Sequence, residues 1–228
     1  MAGPGRKAAA LFGGTFDPFH NGHLRMAVEL AETLALSRVV LLVARHPPHK
    51  PGRPLSKADH RLAMAAAAVA GIPGLEVSDA ELRREGPSYS LDTVTAFRDA
   101  EPDVDWIFAL GADSFAEVST WHRWRELLSS CDFALLPRPG APRFPGSPAG
   151  LRLEKEEPHC YSWVGETYRL PAGRRLFCPS LPVLDISSSS IREKVRGGMC
   201  IRGLVPGEVE SYIVEHGLYA GPGEDERP

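Results

Sequence analysis

The sequence lacks the closely spaced cysteine pairs of a zinc-binding module. Its cysteines stand far apart along the chain, at Cys131, Cys160, Cys178 and Cys200. Zinc knuckles supply their ligands as close pairs, so this spacing argues against a zinc site. We therefore expect free thiols, which are typical of proteins in a reducing cytosol.

An excess of basic residues and a long apolar run are also absent. Lys and Arg number 26 against 29 Asp and Glu, a net charge of −3, so nucleic acid is not an expected partner. No apolar run approaches the roughly 20 residues that span a bilayer. The apolar stretch 8–12, after Arg6 and Lys7, is too short for the hydrophobic region of a secretory signal. We expect a cytoplasmic protein without membrane contact.

What is present is an alternation of short apolar runs with longer amphipathic ones. The pattern predicts strands at 8–12, 39–43, 106–110 and 133–136, and a further apolar strand at 183–186. Helical spacing follows at 24–34, 59–70, 91–100 with Ser90 as N-cap, about 121–128, 188–196 and 206–216. This order predicts one α/β domain: a doubly wound, mostly parallel sheet with helices on both faces.

Three segments fall outside that pattern. Residues 1–6 and 219–228 are predicted to be disordered tails of the single domain that spans 1–228. Residues 137–179 are rich in Pro, Gly and charge, and either cover the site or form a dimer contact. In a parallel sheet, ligands bind beyond the carboxyl ends of the strands. The chemistry is therefore expected in the loops after residues 12, 43, 110 and 186.

The first of these loops, GGTFDPFHNGH (13–23), has the strongest local pattern. Gly13 and Gly14 lack a Cβ, so the backbone can turn sharply and approach a ligand. His23 lies near a helix start, where N–H groups and the helix dipole favour anions, and His20 lies three residues earlier. Two imidazoles there suit hydrogen bonding to phosphate oxygens. The alternative is a pair of histidines that only pack the turn. A Walker loop, GxxxxGK[ST], is absent.

A second phosphate site is predicted at ISSSSIR (186–192). Backbone N–H groups and hydroxyls of Ser187, Ser188 and Ser189 at a helix start form a nest for phosphate, and Arg192 adds a planar charge. A serine linker is the alternative, but apolar residues on both sides disfavour it. A simple N-cap is compatible with the phosphate role.

The loop GGTFDPFHNGH resembles the signature of the HxGH nucleotidyltransferase superfamily, specifically the nicotinate mononucleotide adenylyltransferase family. The resemblance implies a Rossmann-like fold and extends the ATP contacts of this loop to Thr15 and Phe16. The stretch 186–192 resembles the family's ISSTxxR motif, whose serines and arginine hold the ATP phosphates. Ser189 stands where threonine is usual, and both carry a hydroxyl.

A basic run between Arg45 and Arg61 contains PPHK (47–50), which resembles the family's PPH[KR] segment and assigns Lys50 to the phosphates. Arg45 stands at the Asn of the family's Pro-x-Asn and would add a charge contact there. From charge alone, the run is more typical of a solvated surface.

The acceptor pocket is also implied by resemblance. ELRREGPSYSLDT (81–93) is similar to the family's nicotinate-binding segment, so backbone amides of Ser90 and Leu91 would hold the pyridine carboxylate. Trp121 would stack on the pyridine, and His122 would donate through its backbone. We expect Trp124 to pack in the core. Asp113, in a G-x-D turn, either lies near the ribose or only caps the next helix.

Together these features imply adenylyl transfer from ATP to nicotinate mononucleotide. The acceptor phosphate, with a second pKa of about 6, needs no general base. His20, His23 and Arg192 would stabilise the reacting phosphates, and Mg²⁺ would be held mainly by the phosphates rather than by a protein metal site. The family resemblance makes a homodimer plausible.

Other interpretations stay open. The acceptor could be nicotinamide mononucleotide or phosphopantetheine. A non-catalytic nucleotide binder would have little use for two phosphate sites and an acceptor pocket. A class I aminoacyl-tRNA synthetase relative is disfavoured by the short chain and the lack of a KMSKS-like loop.

Overall fold

All the strands of the described residues belong to one central sheet. The computed structural model describes residues 7–45, 55–138, 140, 142, 144, 146–156 and 165–221. The strands, in chain order, are β1 (Lys7–Gly14), β2 (Arg38–Val43), β3 (Leu75–Ser78), β4 (Val104–Gly111), β5 (Asp132–Leu136), β6 (Glu154–Lys155), β7 (Glu166–Arg169) and β8 (Arg175–Cys178). Their order in the sheet is β3-β2-β1-β4-β5-β8-β7-β6.

Because most of the strands are parallel, the loops that follow their carboxyl ends lie at the same edge of the sheet. Strands β1 to β5 and β8 pair in parallel, whereas β7 and β6 add an antiparallel extension. β1 lies between β2 and β4, so successive connections leave it in opposite directions. A crevice at such a switch point, beyond the carboxyl ends of the strands, is where open α/β sheets bind ligands.

Helices cover both faces of the sheet. They are α1 (Asn21–Thr33), α2 (Ala58–Val69), α3 (Ala80–Arg83), α4 (Ser90–Ala100), α5 (Ala112–Ala116), α6 (Trp124–Ser130), α7 (Ser188–Arg196) and α8 (Gly207–Glu215). Side chains alternate along β1: Ala10 and Phe12 join the core beneath α1, α2, α7 and α8, and Ala9 and Leu11 join the core beneath α4, α5 and α6. The doubly wound α/β fold is confirmed. No helix in the described part of the chain is long and apolar enough to cross a membrane.

Several local predictions need correction. Residues 183–186 are not a strand: Val183 and Leu184 are exposed in a loop that follows β8. Ser90 is the first residue of α4, and Tyr89 is its N-cap, because the helix begins one residue earlier than predicted. The segment 137–179 contributes β6, β7 and β8 to the sheet edge. Tyr219, placed in a tail by the sequence, packs against the core instead.

Candidate active site

The two histidines of the first loop cap the same helix. His20 is the N-cap of α1, and its Nδ1 accepts a hydrogen bond from the backbone N–H of His23 at 3.3 Å. In return, Nδ1 of His23 accepts from the backbone N–H of His20 at 3.3 Å. This reciprocal arrangement is a capping box built from two imidazoles. The rings stack with their centroids 3.6 Å apart.

The capping hydrogen bonds determine which ring nitrogen carries the proton. Because each Nδ1 accepts, the proton of each neutral imidazole lies on Nε2. His20 is buried, and burial lowers its pKa to about 4, so its ring is neutral near pH 7. Each ring therefore has its Nε2–H on the side opposite its helix contact, and the His20 ring that carries it is neutral.

The glycine between the histidines makes their stacking possible. A Cβ on Gly22 would lie 2.9 Å from Nδ1 of His20, so a larger residue would displace that ring from the cap. The HxGH spacing thus follows from the close approach of His20 to the first turn of α1. The sequence reasoning had assigned no role to Gly22.

The backbone turns later than the sequence predicted. Gly13 and Gly14 still belong to β1, and the left-handed residue is Phe16, with φ of 49°. A Cβ on Gly14 would meet the Phe16 ring at 2.6 Å, so Gly14 lets that ring fold back over the strand. Gly13 is exposed, with open space where a Cβ would point. The Phe16 side chain is buried against His23, and the Thr15 carbonyl faces inward to Arg61.

The second predicted phosphate motif lies directly against the first. Ser188 Oγ donates to the carbonyl of Pro18 at 3.0 Å, and Arg192 Nη1 donates to the carbonyl of Asp17 at 2.6 Å. Ser187 is the N-cap of α7, and its Oγ accepts from the backbone N–H of Ser190 at 3.1 Å. Two turns that are about 170 residues apart in sequence therefore form one site.

Arg61 is a buried cation beneath this site that the sequence reasoning missed. It is 2% exposed, and its guanidinium donates to the carbonyls of Thr15 at 2.9 Å, Ala44 at 2.7 Å and Ser56 at 3.0 Å. It thereby ties together the segments that leave β1 and β2. The helical spacing of the sequence could have indicated its burial. Arg61 shares the spacing of the residues that face the core from α2, namely Met64, Ala65 and Ala68.

The predicted acceptor residues are near one another at the start of α4 and before α6. Leu91 is buried, Ser90 is half-buried in the first turn of α4, and Tyr89 stacks on the His122 ring with centroids 4.3 Å apart. Trp121 is half-buried and packs against the core under α4, α5 and α6. Trp124 packs there too, with its ring under the Arg125 guanidinium at 4.2 Å. Tyr89 was not singled out from the sequence.

Three other candidates have distinct surroundings. Asp113 is in the first turn of α5, which is capped by Gly111, and its carboxylate pairs with Arg138 at 3.1 Å. Arg138 follows β5 at the same edge of the sheet and was also missed. Arg45 Nη1 donates to the carbonyl of Arg84 at 2.9 Å, so its guanidinium links β2 to the segment after α3. Lys50 lies outside the described residues.

The carboxylates near the two predicted phosphate motifs have protein partners. In the part of the chain that the structure describes, no group of three His, Cys, Asp or Glu side chains could hold a metal ion. The nearby carboxylates already have partners: Asp17 accepts from Tyr219, and Asp113 pairs with Arg138. Mg²⁺ bound mainly by nucleotide phosphates needs few protein ligands.

A separate groove of about 840 Å³ runs between α4 and α6. Its lining includes Leu91 and the charged residues Arg98, Arg123 and Glu126. His20, His23 and Arg192 are not part of this lining. The contact between the two predicted phosphate motifs is therefore separate from this groove.

Comparison with known proteins identifies the family of the chain. Residues 11–194, most of the chain, match the family model described as cytidylyltransferase-like. The chain belongs to that family, a class of nucleotidyltransferases whose members generally use a divalent metal ion.

Individual relatives narrow the class. A probable nicotinate-nucleotide adenylyltransferase of Acidithiobacillus ferrooxidans is 41% identical over 93% of this chain and 95% of its own length. One of Pseudomonas syringae pv. tomato is 40% identical over 96% of both chains. The chain is therefore a member of the nicotinate-nucleotide adenylyltransferase family.

A solved structure shares the fold. Nicotinic acid mononucleotide adenylyltransferase of Plasmodium falciparum, complexed with NaAD, superposes with a TM-score of 0.67 at 17% identity. The match covers 93% of this chain and 97% of that one. At this low identity the likeness supports the Rossmann-like architecture.

Proposed function

We propose that this protein transfers AMP from ATP to the 5′-phosphate of nicotinate mononucleotide, giving deamido-NAD and pyrophosphate. The observation that carries the proposal is the contact between the two phosphate motifs, in which Ser188 and Arg192 bind the loop that leads into His20. The names of relatives that match over nearly the whole chain support nicotinate mononucleotide as acceptor.

The reaction needs positioning more than proton transfer. The acceptor phosphate is largely ionised at pH 7, since its second pKa is about 6, and its oxygen is already a competent nucleophile. That oxygen attacks the α-phosphorus of ATP, and a new P–O bond forms. The bond from the α-phosphorus to the bridging oxygen breaks, and pyrophosphate leaves with the electron pair. Holding both substrates in line supplies much of the rate enhancement.

We assign the two imidazoles to the α-phosphate. Nε2–H donors on His20 and His23 can bond to the non-bridging oxygens, and these bonds strengthen as negative charge grows in the transition state. A neutral His20 has a practical advantage, since it donates without a charged ring having to be desolvated at the cap. The fixed capping box keeps both donors oriented before substrate arrives.

We assign the start of α7 to the departing pyrophosphate. Ser187, Ser188, Ser189 and Arg192 stand at the helix N-terminus, where the dipole favours anions. The exposed backbone at Gly13 and the half-buried backbone from Gly14 through Thr15 to Phe16 would line the nucleotide side. The family resemblance assigns Lys50 as a further phosphate contact. Mg²⁺, held mainly by the ATP phosphates, would neutralise their charge.

The acceptor is proposed to bind between α4 and the segment before α6. Backbone N–H groups at Ser90, Leu91 and His122 would hold the pyridine carboxylate, and Trp121 would contact the ring. Donors alone favour the acid over the amide, because an amide NH₂ would face another donor. Asp113, which pairs with Arg138, would contact the ribose.

A panel of acceptors tests the proposal. Pyrophosphate release is measured with Mg²⁺ and ATP and, in parallel, nicotinate mononucleotide, nicotinamide mononucleotide and phosphopantetheine. We expect the highest kcat/KM with the acid mononucleotide. A preference for either of the others would overturn the acceptor assignment, and ATP binding without product from any acceptor would favour a nucleotide-binding regulator.

Location and assembly stay predictions. The buried free thiols of Cys131 and Cys178 are consistent with the reducing cytoplasm. The homodimer implied by family resemblance is tested by sedimentation equilibrium.

A further inference from the structure

The C-terminal segment after α8 reaches back to the first loop. Leu218 and Tyr219 pack against the core beneath α1, α2, α7 and α8, and Tyr219 adopts a left-handed backbone with φ of 65°. Its phenol donates a hydrogen bond to Oδ1 of Asp17 at 2.7 Å, across 202 residues of sequence.

Asp17 receives hydrogen bonds on both its side chain and its backbone. The residue is 2% exposed, and its second carboxylate oxygen, Oδ2, accepts from the backbone N–H of Ser56 at 3.3 Å. Its carbonyl accepts from Arg192. The buried Arg61 guanidinium is attracted electrostatically by the same carboxylate. Asp17 is thus where groups from three separate parts of the chain meet, three residues before His20.

The phenol is a permanent donor to this carboxylate. Burial, together with the negative charge of Asp17, raises the pKa of Tyr219 well above its usual range, so the hydroxyl keeps its proton. Removing the hydroxyl would leave Oδ1 of a buried carboxylate without this charge-assisted hydrogen bond, and such groups shift to find new partners.

We propose that Tyr219 is a positioning residue for the transfer reaction: through Asp17 it holds the segment between Phe16 and His20 so that the imidazoles and Arg192 face one point. The proposal rests on the function proposed above. The recorded hydrogen-bond partners of the Tyr219 hydroxyl are Asp17, Ser56 and, more weakly, Met64 at 4.0 Å, and none of them is an imidazole. Its effect is therefore indirect.

The chain offers a matched control. Tyr212, on α8, also uses its hydroxyl in a hydrogen bond, but its partner is Nδ1 of His60, at 3.0 Å, rather than a side chain of the first loop. We expect Tyr219→Phe to lower kcat about 10- to 100-fold, as a displaced reacting group does, with a smaller change in KM. Tyr212→Phe should keep kcat within about twofold. Circular dichroism verifies that both variants are folded at the assay temperature.

A double-mutant cycle shows whether Tyr219 acts through Asp17. In an Asp17→Ala background, adding Tyr219→Phe should cause no further loss of kcat. Fully multiplicative losses, or a folded Tyr219→Phe variant with kcat within twofold of the wild type, would overturn the proposal.

Amide hydrogen exchange separates this proposal from the proposed function. Tyr219→Phe should speed exchange in a peptide covering 15–24 relative to both the wild type and Tyr212→Phe. If the wild-type protein makes no product with any acceptor, the proposed function is refuted. The exchange measurement still tests whether Tyr219 holds the loop, because it does not depend on turnover. Unchanged exchange would refute that role.

Discussion

The guanidinium of Arg192 lies 2.6 Å from the carbonyl oxygen of Asp17, measured from Nη1. This contact joins the helix start of α7 to the middle of the first loop, and Nη2 of the same side chain reaches Ser189 Oγ at 3.4 Å. One residue therefore aligns both phosphate motifs, in addition to the charge that it carries.

Replacing Arg192 with lysine should separate geometry from charge. Lysine keeps a positive charge but cannot hold the Asp17 carbonyl and present a planar fork at the same time. We expect kcat to fall about 100-fold, close to the effect of Arg192→Ala. The control is Arg196→Lys, in the last turn of the same helix, which should leave kcat within about twofold. Steady-state pyrophosphate release measures both, and near-normal turnover of Arg192→Lys would contradict the assignment.

His23 has two separable roles, as a cap and as a donor to phosphate. Glutamine at this third helical position can still accept from the backbone N–H of residue 20, as in a standard capping box, whereas alanine cannot. Both variants should lose about 10²–10³-fold in kcat. Only His23→Ala should also lose about 1 kcal/mol of stability. Thermal unfolding and kinetics on the same samples test this, and a glutamine variant with full turnover would refute the catalytic role.

His20 should make the protein less stable in mild acid. Its pKa is about 4 in the folded protein, against an ordinary value of 6.5 for an exposed histidine, so the unfolded chain binds more protons between these values. The contribution is fully present above pH 6.5 and is lost as the pH falls toward 4. We expect a loss on the order of 2 kcal/mol between about pH 7.5 and pH 5.

His20→Asn provides the reference for that measurement. Asparagine is a good N-cap but does not titrate, so the variant should show a shallower loss of stability over the same pH range. Urea unfolding at each pH gives the difference between the two proteins. Parallel pH profiles would show that His20 is not held neutral by burial.

Arg61 should be among the most costly residues to replace. Arg61→Met removes the donor to the carbonyls of Thr15, Ala44 and Ser56 and takes away one of the two cations near the buried Asp17, the other being Arg192. Breaking a buried charged arrangement costs about 3–5 kcal/mol. Arg98→Met, on the solvent-facing side of α4, should stay within about 0.5 kcal/mol of the wild type. Equal denaturant midpoints for the two variants would contradict this.

The sequence was informative where periodicity was long and apolar. The central strands and helices from 24 to 34 and 188 to 196 follow from hydrophobic spacing, and so does the doubly wound architecture. β3 was missed because it is short, and only Leu75 within it is buried. The residues 183–186 were misread as a strand because an apolar run does not reveal that Val183 and Leu184 are exposed.

Loop patterns in the sequence predicted the site residues, but they did not predict which groups those residues contact. Nothing in ISSSSIR indicates that Ser188 and Arg192 donate to the backbone of the first loop, since such contacts depend on how distant elements pack. Arg61 was hidden in a basic run that looks solvated when only charge is counted. Arg61 can be buried because its guanidinium donates to three backbone carbonyl oxygens. No local sequence pattern indicates those contacts.

The bond between Tyr219 and Asp17 has a consequence for biosynthesis. Because 202 residues separate the two partners, a ribosome adding about 5–20 residues per second needs about 10–40 s after making the aspartate before the tyrosine exists. During that interval the Asp17 carboxylate lacks this hydrogen bond, although its partners Ser56 and Arg61 are already made. Products of premature termination would stay in that unfinished state and should be preferred targets of quality-control proteases.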